Sequence, residues 1–114
     1  MERTELMKLR TVKNNNVPVI RCSGSMTTEI AALILKNAIY NFPSYDSIVI
    51  NLAKVDNIGH DALMVIRDVI ADGYGITLAE PKPAVHIIAK TNLTVPIYNR
   101  EETAIAEILS LQAV

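Results

Sequence analysis

The sequence predicts an α/β layered domain: a mixed sheet of four to five strands with about four helices packed against it. Three observations predict it. Strand-type and helix-type runs alternate along the 114 residues in the order ββαβαβαβα. The run "SIVINL" (47–52) is continuous, β-branched and bounded by polar residues, which suits a central strand covered on both faces. Half of the residues are hydrophobic, enough to bury a core without a metal or disulfide staple.

"MKLRTV" alternates apolar and polar residues, and after the "KNNN" turn "VPVIRC" resumes in apolar form, so the two read as a hairpin or adjacent strand pair. Pro18 lacks an amide donor and belongs at a strand start or an edge. "SGSMTT" reads as a loop in which Gly24 is free to take positive φ. Thr27 or Thr28 then caps a helix with Glu29 in its first turn. That helix runs to about Tyr40 and is expected to bury Ile30, Leu33, Ile34 and Ala38. After "SIVINL", Asp56, Asn57, Gly59, His60 and Asp61 look loop-like and run into a helix with Ala62, Val65, Ile66, Val69 and Ile70 at i, i+3, i+4, i+7 and i+8. Asp72-Gly73 is a helix stop. "GITLAE" is the next strand, and Pro81 and Pro83 open a helix with Val85, Ile88 and Ala89 facing inward. "VPIY" is a short strand. Asn99 with Glu102 resembles a capping box that opens a last helix burying Ile105, Ile108 and Leu109. Strands joined through helices must run parallel, with right-handed crossovers.

Composition excludes several function classes. Eleven basic residues against twelve acidic give a net charge of −1 with no sign-segregated block, so no nucleic-acid footprint is expected. Cys22 is the single cysteine, which rules out a disulfide framework and any Cys/His zinc spacing; it reads as a small core residue. "MERTELMKLR" is charged throughout and no apolar run approaches the ~20 residues of a membrane span, so neither a secretory leader nor membrane insertion is expected. Gly24, Gly73 and Gly75 lack the spacing of a phosphate-binding loop. The bland expectation is one cytoplasmic domain over residues 1–114 with no cofactor. His86 reads as a partly buried histidine, and the Ser23, Ser25, Thr27 and Thr28 cluster as turn and capping chemistry or a substitute phosphosite.

The element order and three stretches resemble the STAS domain family, which includes bacterial anti-sigma-factor antagonists and the cytoplasmic tails of sulfate-type anion transporters. The stretches are the Gly24 loop, "SIVINLAKVDNIGHDALMVI" and "ITLAEPKPAVHIIAKTNLTVPIYNREETAIAEI". Where the family commonly reads Asp-Leu-Ser, this chain has Asn51-Leu52-Ala53. Where the family places Asp-Ser-Ser-Gly-Leu at the start of the next helix, this chain has Gly59-His60-Asp61-Ala62-Leu63, and only the leucine matches.

The resemblance implies a non-enzymatic module that binds an anti-sigma factor of the serine/threonine kinase type. In that family the second hydroxyl of the motif is the phosphoacceptor: the unmodified antagonist captures the kinase and the phosphorylated one releases it. Here Asp61 takes the acceptor position, so negative charge is built in permanently where relatives install it reversibly. The expected contact residues are Gly24, Ser25, Met26, Ile58, Gly59, His60, Asp61, Ala62 and Met64. Asp61 is equally suited to stabilising its own helix as a cap or first-turn acid. An acid/base pair of His60 and Asp61 is disfavoured, since adjacent helical residues do not face each other. The rival expectation is a scaffold or regulatory subunit of a sensory or transport complex, responsive to anions or nucleotides. Oligomeric state and input signal are left open by the sequence.

Overall fold

The computed structural model of the chain describes residues 7–43, 46–81, 88 and 93–112. Five strands, β1 (Lys8–Asn14), β2 (Val17–Met26), β3 (Ser47–Ile58), β4 (Gly75–Ala79) and β5 (Ile97–Tyr98), form one sheet in the order β1-β2-β3-β4-β5. β1 and β2 are antiparallel, and the remaining neighbours are parallel. The described helices are α1 (Glu29–Tyr40), α2 (His60–Ala71) and α3 (Glu101–Gln112).

The hairpin turns on two asparagines. Asn14 pairs with Val17, and between them Asn15 and Asn16 take φ of 52° and 67°, the two-residue turn whose twist matches the flanking strands. Pro18 sits at the second residue of β2, before pairing with β3 begins at Val19, so its missing amide costs no bond to β3.

β3 is the central strand, and alternation along it feeds two cores. Ile48, Ile50 and Leu52 join Ile20, Leu35, Ile39, Ile66 and Val69 in the larger cluster, beneath α1 and α2. Val49 joins Val17, Val19, Ala79, Ala104, Ile105 and Ile108 beneath α3. The expected stripe of α2 is found: Ala62, Val65, Ile66 and Val69 are buried with Leu63, and Ile70 packs against them. α2 stops at Asp72, followed by Gly73 at φ 104°.

Three expectations are corrected. First, α1 is rotated from the expected phase. Its buried residues are Ala31, Ala32, Leu35 and Ile39, Ala38 is half-buried, and Ile30, Leu33 and Ile34 face outward. The run "IAALIL" has no polar residue to fix a phase, and the two alanines, which permit close approach, face the interior. Second, β2 and β3 run past their expected ends, so Ser23–Met26 and Asp56–Asn57 are strand rather than loop. Register shifts between Arg21 and Ser23 and between Gly24 and Ser25 absorb the irregularity, with Gly24 at φ 88°. Third, α3 starts at Glu101, one residue later than an Asn99 cap sets it, and its first amide donates to the Glu80 carboxylate at 3.3 Å. In the segment opened by Pro81, Ile88 is helical and buried as expected; Val85, His86 and Ala89 lie outside the described residues.

Candidate partner-docking site

β2 and β3 end side by side, with Met26 paired to Ile58, so the two following helices start together at the carboxyl ends of parallel strands. Thr28 caps α1 by accepting from the Ala31 amide at 3.0 Å. α2 is capped by Gly59, which offers no side chain. The Gly59 amide donates to the Met26 carbonyl at 2.8 Å, locking one junction to the other. A Cβ on Gly59 would lie 3.1 Å from the Thr27 Cα, so any side chain here must push the Thr27 backbone back by a few tenths of an ångström, while the φ of −101° is ordinary.

His60 and Asp61 are the first two helical residues of α2, and both are exposed. Asp61 is a first-turn acid, not the cap. Its carboxylate complements a helix start that has no capping side chain, a favourable placement of about 0.3–1 kcal/mol. Ser25 is half-buried, with its hydroxyl 3.0 Å from that of exposed Thr27. Met64 is half-buried and lines a small apolar hollow with His60, Leu63, Arg67 and Leu93. The surface at this end is therefore narrower than expected. Gly24, Met26, Ile58 and Ala62 lie in the interior and shape the junction from beneath, leaving Ser25, Gly59, His60, Asp61 and Met64 at the surface.

No family model and no curated protein sequence matches the chain. Solved structures do match. The crystal structure of an anti-sigma factor antagonist from Mycobacterium paratuberculosis aligns with a TM-score of 0.69 over 94% of this chain and 97% of that one, at 20% identity. A protein assigned the same role in Thermotoga maritima aligns with a TM-score of 0.63 over 87% and 92%, at 21% identity. The fold is that of the anti-sigma factor antagonists. The STAS-like architecture expected from the sequence is borne out at the level of fold.

This antagonist-type fold also assembles a polar cluster that the sequence reading missed, on the α3 side of the sheet. Glu101, 5% exposed, accepts from Arg21 Nε at 3.1 Å and Nη2 at 2.8 Å, from Asn14 Nδ2 at 3.1 Å and from Asn51 Nδ2 at 3.0 Å. The Arg21 bonds above all, with Asn51 and Asn14, hold its carboxyl down to about 2 against the opposing effect of burial. Asn51 also donates to Glu80 at 2.9 Å and accepts the Ala53 amide at 2.9 Å. Glu80 takes φ of 55°, rare for a side-chain-bearing residue, and is held there by its amide bond to the Tyr98 carbonyl at 2.8 Å and by its carboxylate bonds.

Beside this cluster Arg10 lies opposite Arg21 in register, and Lys54 opposite Ser23. Together with Cys22, Asn51 and Ala53 they line an open hollow whose charge is predominantly basic. Like charges directly opposite each other across strands repel, and only Arg21 of the two arginines has an ion-pair partner among the described residues. The three cations are far apart in a sequence of near-zero net charge, so only folding brings them together. Cys22 itself is a buried core residue, as expected, and burial pushes its thiol up to about 12. Among the described residues no group of His, Cys, Asp and Glu is placed to hold a metal, and no helix is long and apolar enough to cross a membrane.

Proposed function

We propose that the chain is a non-catalytic binding module that engages an anti-sigma factor of the serine/threonine kinase type through the end of the fold where α1 and α2 begin. Asp61 acts there as a fixed stand-in for a phosphorylated side chain. The observation that carries this reading is the position of Asp61: an exposed carboxylate in the first turn of α2, beside a glycine cap, in a fold shared with anti-sigma factor antagonists. A hydroxyl at this place leaves the surface neutral, whereas phosphate adds about −1.5 to −2 charges. A carboxylate supplies the same sign continuously and cannot be phosphorylated by such a kinase. In partner switching, as the STAS resemblance implies, this biases the chain toward the released state and thereby sets the availability of sigma for transcription.

The test is direct binding to the anti-sigma kinase of the source organism. Asp61→Ser is expected to bind at least tenfold more tightly than the native chain, about 1.4 kcal/mol, to become phosphorylated at residue 61, and to lose the gain once phosphorylated. Equal affinity of the two proteins, or labelling of the native chain at residue 61, sinks the reading.

The basic hollow favours a second reading, in which the chain is a regulatory subunit or scaffold of a sensory or transport complex that responds to anions or nucleotides. Calorimetric titration with ATP, GTP and inorganic phosphate tests it. Saturable heat that is abolished in Arg10→Ala/Lys54→Ala supports this reading, and absence of heat with all three ligands removes it.

A further inference from the structure

Six large hydrophobic side chains are exposed among the described residues, and four of them belong to α1: Ile30 at 72%, Leu33 at 55%, Ile34 at 39% and Tyr40 at 40%. Ile30, Leu33 and Ile34 follow i, i+3, i+4 spacing and so form one stripe, on the side opposite the buried Ala31, Ala32, Leu35 and Ile39. Scattered apolar residues on a surface need no explanation, but a contiguous aliphatic stripe on one helix marks a contact face.

The charges beside the stripe identify what covers it. Glu29 and Lys36 stand seven residues apart on one flank, two helical turns, one at each end. Neither makes an ion pair among the described residues, and the Lys36 ammonium lies 5.9 Å from the Tyr40 ring centroid. In an antiparallel contact centred between positions 32 and 33, Glu29 of one copy lies opposite Lys36 of the other, twice. Ile30, Leu33 and Ile34 of each copy interleave with the same residues of its partner, within one residue of exact register. A parallel two-fold arrangement instead carries the Glu29–Lys36 flank to opposite sides of the seam, so the two charges cannot pair. The stripe is thus complementary to itself in shape, sign and spacing, as an isologous two-fold contact requires.

We propose that a second copy of this chain occupies the stripe, forming a two-fold dimer through antiparallel α1 helices with Leu33 beside the axis. One helix face is smaller than the ~800 Å² per partner of a standard stable interface, so the dimer is reversible and depends on concentration. Its formation requires no other protein, which separates it experimentally from the kinase-binding role of Asp61.

Sedimentation equilibrium of the purified chain, from low to several hundred micromolar, is expected to show a mass rising from one chain toward two. Leu33→Glu should hold it at one. Glu29→Lys should weaken association at least fivefold, and Glu29→Lys/Lys36→Glu should restore it, a rescue that a non-specific apolar contact cannot give. Leu33→Cys should form a disulfide-linked dimer on mild oxidation, while buried Cys22 stays silent in the parent protein. A native chain that remains monomeric throughout overturns the proposal and assigns the stripe to a different partner; dimerisation unaffected by Leu33→Glu, or a charge swap that fails to rescue, overturns the two-fold geometry.

Discussion

Leu35→Ala lowers the unfolding free energy by about 3–4 kcal/mol, whereas Leu33→Ala, two residues away on the same helix, changes it by less than ~0.5 kcal/mol. Leu35 is fully buried in the larger core, so deletion removes its apolar surface from the packed interior and leaves a cavity that neighbours only partly fill. Leu33 is more than half exposed and loses little folded-state contact on truncation. Urea denaturation followed by circular dichroism, at a protein concentration low enough to keep the chain monomeric, measures both values. Against a domain stability of some 5–15 kcal/mol, the Leu35 variant loses a large fraction of its margin. The reverse ranking would mean that α1 is turned with Ile30, Leu33 and Ile34 inward.

Glu101→Gln is expected to cost roughly 2–3 kcal/mol at neutral pH and to flatten the acid limb of the stability profile. The native carboxylate collects four side-chain donations while almost fully buried, and its fold-bound value of about 2 lies below the ordinary 4.5. A carboxyl with a depressed value stabilises the fold fully above its unfolded value, and that contribution fades as pH falls from about 4.5 toward 2. The shift alone corresponds to ~3 kcal/mol; the expected cost is set somewhat lower because Arg21 is 46% exposed and water screens it in both proteins. Denaturation profiles between pH 2 and 7 for the two proteins make the comparison. They should converge as pH falls below the unfolded value, and a constant gap down to the lowest pH would show that Glu101 contributes through packing rather than charge.

The parts of the fold that were legible in the sequence are those decided by short-range rules. The β-branched run 48–50 favours a strand by its own composition, and the α2 stripe has polar residues between its apolar positions, which fixes its buried side. Thr28 and the Asp72-Gly73 stop act within a turn of chain. In α1 the same reasoning chose the wrong face, because a helix apolar on two sides has two admissible phases. The strand lengths were read short for a related reason. Asp56 and Asn57 are unfavourable strand residues taken alone, and pairing of Asn57 with Ser25 and of Ile58 with Met26 carries β3 through them. Of the candidate site, the position of Asp61 at the exposed start of α2 was legible, whereas Gly24, Met26, Ile58 and Ala62 were expected at the surface and are buried.

By itself the sequence determined the element types, the alternation that forces a parallel sheet behind an antiparallel hairpin, and the acidic start of α2, since each follows from residues a few positions apart. Tertiary structure alone decided which side of α1 meets the core, which residues of the α2 junction reach solvent, and the joining of Asn14, Arg21, Asn51, Glu80 and Glu101 into one network. The reason is separation along the chain. Arg21 and Glu101 are 80 residues apart, so no local preference encodes their meeting; it exists because packing of the sheet against α3 brings β2 and the start of α3 together.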